Sequence, residues 1–306
     1  MNRRTVFLLA GAGLLLAACI WGFAFVVVKD SLDYVGPIYM MAFRFSIAAI
    51  ALAMLFAPRL KLLNKTYWKN GIILGGYLFL AYAFQTIGCN YTTAGKNAFL
   101  TTIYVMLVPL IGWPLYKKRP GWYVFAAAVI SIMGIGLLAL SNTDGSLLTM
   151  NKGDMLTLVC GLFYALHILR MERCNTTQST ILLTVLQFFF AAVFSWAAAP
   201  FFDGAFPAGA VTNPRVVVSM LYLGLFSTMI AFVLQNVGLR YVQSSIAALF
   251  LSFESVFGVL FSTLLLHEHL TPRMITGCVL IFFAVILAET KFDFFHIRGT
   301  KNEKTF

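Results

Sequence analysis

A run of about twenty apolar residues is the length a helix needs to cross the hydrocarbon core of a bilayer. This 306-residue chain contains ten such runs, at about 5–28, 35–57, 71–91, 97–116, 122–141, 154–172, 180–200, 216–238, 245–266 and 274–290. Within a bilayer the backbone must satisfy its own hydrogen bonds, which leaves helices or a closed barrel. Barrel strands are short and alternate apolar with polar residues, and these runs do neither. The expected class is therefore an all-α integral membrane protein with ten transmembrane helices. With 60% hydrophobic and 11% charged residues, against about 45–50% and 25% in soluble domains, the chain has too little polar surface to wet a soluble fold. Leu16-Ala17-Ala18-Cys19 resembles a lipoprotein cleavage site. The apolar run continues to Val28, however, longer than a signal segment needs, so it is read as the first span.

The charges between the runs set the expected orientation. With the amino terminus in the cytoplasm, loops on that side carry 16 Lys and Arg, outer loops carry five, and Arg44 lies inside a run. That bias is the positive-inside pattern, and it places both termini in the cytoplasm. The net charge of +11 is thereby accounted for without a nucleic-acid partner. The five cysteines, Cys19, Cys89, Cys160, Cys174 and Cys278, are scattered mostly through the apolar runs. They form no metal or disulfide framework and read as small packing residues. No cofactor is implied.

The chain also repeats itself. Gln85-x-x-Gly88-x-x-Tyr91 recurs as Gln235-x-x-Gly238-x-x-Tyr241 after 150 residues, with Ala98 and Ala248 also matching. Earlier in each half the shift is 143: Phe45-x-x-Ala48-Ala49 pairs with Phe188-x-x-Ala191-Ala192, and Trp21 falls opposite Tyr164. A repeat of five helices, an odd number, enters the membrane in opposite directions in its two copies. The expected organisation is a first repeat over 1–141, an outer linker over 142–153, a second repeat over 154–290 and a basic cytoplasmic tail over 291–306. Inverted repeats are a transporter design with a site near the midplane.

Several segments carry a family resemblance. They are Trp21-Gly22, the stretch Tyr91-Thr92-Thr93-Ala94-Gly95-Lys96-Asn97-Ala98-Phe99-Leu100 leading to Pro109, Gly153-Asp154, Arg240-Tyr241, Glu254-Ser255-Val256-Phe257, and Leu266-His267-Glu268-His269-Leu270-Thr271-Pro272. Across about 5–290 the chain resembles the drug/metabolite transporter superfamily, in particular its bacterial EamA-type members. Ser255 and His267 stand where that family usually has Pro and Gly. The resemblance implies a secondary transporter in the bacterial cytoplasmic membrane that moves small metabolites, amino acids or drug-like solutes, with export the expected direction. A homodimer is left open.

Candidate site residues are the polar side chains inside the runs, because each is costly there. Arg44 and Glu254 lie mid-run, where they line a solute path, carry a proton (Glu254), form a structural ion pair or bond to backbone carbonyls. Gln85, Gln187 and Gln235 want partners and read first as interhelical bonds. Trp21, Tyr82, Tyr104 and Tyr164 offer an aromatic body with a polar handle. Alternating access needs a site touched by both halves, so Trp21 and Arg44 are expected to meet Tyr164, Gln187 and Glu254. His167 is read as a satisfied packing histidine and Ala248, Ser252 and Ser255 as a packing stripe. Lys96, at the outer start of the fourth run, is expected to snorkel to headgroups, with contact to a carboxylate-bearing solute as the alternative. His267-Glu268-His269 lacks the spacing that puts two histidines on one helix face and is read as a turn and cap. An intramembrane enzyme acting on a lipid or lipid-linked substrate is the alternative function. The polar residues are sparse, and no phosphate-binding loop or concentrated nucleophile and base set favours it.

Overall fold

The computed structural model describes residues 3–116, 121–139, 151–242 and 244–290. The basic tail, most of the linker, Lys117-Lys118-Arg119 and the side chain of Ala248 lie outside the described part. Among the described residues the chain is helical and without strands. The helices are α1 Arg3–Ser31, α2 Pro37–Leu55, α3 Lys65–Tyr91, α4 Ala94–Thr101, α5 Ile103–Tyr116, α6 Trp122–Ala139, α7 Lys152–Asn175, α8 Thr180–Phe202, α9 Ala208–Val211, α10 Pro214–Leu221, α11 Ala231–Tyr241, α12 Ser244–Leu265 and α13 Pro272–Thr290. A 3₁₀ turn covers Ala57–Leu62, and a π-helix, Tyr222–Ile230, joins α10 to α11.

Seven of the resulting spans are long and apolar enough to cross a membrane; the apolar cores of α6, α12 and α13 are shorter. Large apolar side chains cover the outside: Phe201 is 87% exposed and Met54 68%. Such a surface is stable where the solvent is hydrocarbon. The chain is a multi-pass membrane protein.

Local chemistry starts the helices. Asn64, Thr93, Asn151 and Asn213 accept hydrogen bonds from backbone N–H groups of the first turns of α3, α4, α7 and α10, as capping side chains do. Pro37 and Pro214 open α2 and α10, where proline loses no needed donor. The α2 start has a remote cap as well: the Asp203 carboxylate accepts from Ile38 and Tyr39 N–H, both at 2.7 Å.

The helices pack across the two sequence halves. α1 lies on α12, and α7 lies on α4 and α5. α1 also meets α11, as α3 meets α7; α2 meets the π-helix, as α3 meets α8. The three remaining main pairs are α2 with α8, α4 with α12 and α6 with α13, each of which maps onto itself. Exchanging the halves returns the same set of neighbours. Two glycines show this at residue level. A Cβ on Gly88 would sit 2.8 Å from Thr157 Oγ1, and one on Gly238 would sit 2.7 Å from Leu14 Cδ2. Gly88 and Gly238 are 150 residues apart, and Leu14 and Thr157 are 143 apart, the two shifts seen in the sequence. Close backbone approach of this kind is what small residues provide in membrane interfaces.

Candidate functional site

A cavity lies among α1, α2, α3, α4, α5, α7, the π-helix, α11 and α12. Eight of the nine candidates line it: Trp21, Arg44, Tyr82, Gln85, Tyr104, Tyr164, Gln235 and Glu254. Gln187 stands behind the wall, fully buried, 2.9 Å from Nε2 of His167, which does line the cavity. The cavity holds about 50 Å³ of free space, enough for a few waters and far below the ~300–1,000 Å³ typical of ligand sites. A metabolite enters only if the walls move.

Both halves supply the wall and bond to each other across it. Trp21 Nε1 donates to the Ser227 carbonyl at 2.7 Å, and Tyr164 O–H donates to Gln85 Oε1 at 3.0 Å. Arg44 donates through Nε to Thr228 Oγ1 at 3.0 Å and through Nη2 to Ser227 Oγ at 2.9 Å, and its guanidinium lies 4.5 Å from the centroid of the Tyr82 ring. Thr228 Oγ1 in turn donates to the Leu223 carbonyl, five residues back, at 2.7 Å. The wide π turn thus carries the Arg44 partners, and π segments recur at functional sites. Glu254 is hydrogen-bonded by Tyr104. Arg44 and Glu254 share the cavity, but among the described residues they form no ion pair; the pairs there are Lys96–Asp154 and Arg215–Asp30.

Lys96 corrects its expected role. It does not snorkel: it is 5% exposed, and its Nζ lies 3.4 Å from Asp154 Oδ2. Thr92 Oγ1 donates to the other Asp154 oxygen at 2.6 Å. The short link between α3 and α4 turns the Lys96 side chain inward, where an acid at the first turn of α7 receives it. Lys29 donates to the Cys89 and Thr92 carbonyls at 2.8 Å beside this pair. Glu268 accepts from Ala94 and Gly95 N–H at the start of α4, and His267 adopts a left-handed turn at φ 52°. The cap reading of that tripeptide therefore holds, although the capped helix is a remote one. Among the described residues no group of three His, Cys, Asp or Glu gathers as a metal site.

Sequence reasoning missed the π-helix, the break at Thr102 and the Asp154 pairing. Asp154 offered a signal, an acid leading directly into an apolar run. The first two offered none, because Ser, Thr and Gly inside apolar runs look like ordinary packing residues.

The profile of the EamA-like transporter family matches residues 8–140 and, a second time, residues 151–290. The chain belongs to this family. This EamA-like protein is 36% identical over 287 residues to an uncharacterized transporter of Archaeoglobus fulgidus, covering 93% of this chain and 87% of that one. It is 25% identical over 279 residues to a probable amino-acid metabolite efflux pump of Escherichia coli, covering 87% and 90% respectively. A solved crystal structure superposes with a TM-score of 0.68 at 17% identity, over 92% of this chain and 96% of the other, a likeness of fold. The EamA-like chain is a membrane transporter, and its relatives speak for transport rather than enzymatic chemistry.

Proposed function

We propose that this transporter is a secondary carrier working by alternating access around the cavity that both halves wall. Its ten membrane-crossing helices form two inverted repeats, 1–141 and 154–290, with both termini in the cytoplasm of a bacterial cell and the chain in the cytoplasmic membrane. The observation that carries this reading is the exchange symmetry of the packing: the helix neighbours, and the Gly88–Thr157 and Gly238–Leu14 contacts, interconvert when the halves are swapped. Two halves that can exchange shapes give two states of similar energy, and a cavity walled by both faces one side in each. The solutes are small metabolites, amino acids or drug-like molecules, and export is the favoured direction. A probable amino-acid metabolite efflux pump among the relatives supports both.

The test fills the cavity. Ala24 lines it and is buried. In proteoliposomes, Ala24→Trp should abolish solute exchange while the protein still purifies as a monodisperse, inserted species, and Ala24→Ser should retain exchange. Undiminished exchange by Ala24→Trp would place the path elsewhere.

A further inference from the structure

Arg44 and Glu254 line one membrane-embedded cavity and, among the described residues, form no ion pair with each other. Arg44 is 2% exposed and Glu254 5%. Leaving a buried charge without a counter-charge costs several kcal/mol, and the fold can avoid it, as the buried Lys96–Asp154 pair shows. Arg44 instead has neutral company, the hydroxyls of Ser227 and Thr228 and the face of Tyr82. Those groups hold the guanidinium in place and leave its full positive charge facing the cavity. The buried acceptors of the cavity form a complementary pattern. Glu254 Oε1, Gln235 Oε1 and Asn97 Oδ1 are buried acceptors that receive no hydrogen bond among the described residues, and all three residues line the same cavity. Buried acceptors without donors are rare because each one costs free energy. A primary ammonium offers three donors and no acceptor.

We propose that the cavity selects zwitterionic solutes, with Arg44 binding the anionic group and Glu254, assisted by Gln235 and Asn97, binding the cationic one. The inference rests on the carrier reading above and specifies its substrate class by charge. It accounts for the charges being kept apart: a direct Arg44–Glu254 pair would satisfy both residues and give a solute nothing to gain. A zwitterion supplies both counter-charges at once, whereas a solute of one charge leaves the other side unpaired. The remaining lining from Trp21, Tyr164, Phe232 and Leu251 is aromatic or aliphatic, suited to the apolar part of such a solute.

The experiment uses full-length protein in proteoliposomes. A panel of amino acids is compared with their methyl esters, which keep only the positive charge, and their N-acetyl derivatives, which keep only the negative charge. Each is scored as a competitor of exchange and by the thermal stabilisation it gives purified protein. The wild type should prefer at least one free amino acid over both of its derivatives by about tenfold or more, the effect of one lost charge-assisted contact. Arg44→Gln should erase the preference over the ester and keep that over the N-acetyl form. Glu254→Gln should do the reverse. The wild-type preferences stand as a test even if a variant fails to fold, and Arg44→Lys and Glu254→Asp should restore part of each. Derivatives that compete as well as the parent, as when Glu254 holds a proton instead of a cationic group, would overturn the inference alone. So would exchange confined to singly charged or neutral solutes. Absence of exchange for every solute tried would overturn the carrier reading as well.

Discussion

Tyr104 hydrogen-bonds the Glu254 side chain, and the two residues are 150 positions apart, the same shift that relates Gln85 to Gln235. One half of the sequence thus supplies the acid and the other its hydroxyl partner, and both residues line the cavity. Arg44 takes no part in this contact. A double-mutant cycle of Arg44→Gln and Glu254→Gln, read as thermal unfolding of solute-free protein, should therefore be additive to within about 0.5 kcal/mol. A coupling of several times that size would mean that the two form a structural ion pair after all.

The Lys96–Asp154 pair predicts a different pattern. Removing one partner of a buried pair strands the other, at a cost of about 3–5 kcal/mol. Lys96→Met and Asp154→Leu should each lower the unfolding midpoint strongly, and the double variant should regain most of the loss. A Lys96→Met protein as stable as the wild type is what a headgroup-bound lysine would give.

Trp21 bonds the Ser227 carbonyl on the π-helix that also holds Arg44. Trp21→Phe keeps an aromatic ring and removes the donor, so stability should fall by only about 1–2 kcal/mol. Exchange should fall by a larger factor, because Ser227 then loses part of what fixes it opposite Arg44. A loss of activity that merely tracks the loss of folded protein would assign Trp21 to packing.

Lys65, the first residue of α3, and Thr212, in the turn after α9, are both exposed, and the proposed inverted arrangement puts them on opposite faces. In a cysteine-free background, a cysteine at Lys65 should react with an impermeant maleimide only after the cells are opened, and one at Thr212 should react in intact cells. Labelling of both positions from one side would break the inverted arrangement.

Much of this was legible in the sequence for simple reasons. A membrane span needs a long apolar run, so the helices announce themselves. A polar residue inside such a run must face protein, so Arg44, Glu254 and the three glutamines stood out, and the fold brings eight of the nine candidates to one cavity. What stayed hidden depends on register and partner. The π turn at Tyr222–Ile230 and the break at Thr102 change which way Ser227, Thr228 and Tyr104 point, yet neither needs a proline or a charge that a reader would notice. Lys96 was misplaced because its neighbours in sequence look like a membrane surface, whereas its partner Asp154 lies 58 residues away.

Counterflow tests the central claim most directly. Proteoliposomes are loaded with a high concentration of a transported solute, diluted into solute-free buffer, and given a labelled trace of the same solute outside. A carrier with one alternating site should draw the label inward against its own gradient, without ATP or an imposed ion gradient, and empty liposomes should show no such overshoot. Label that only equilibrates, or accumulation that requires ATP, would contradict a secondary carrier built around a single central site.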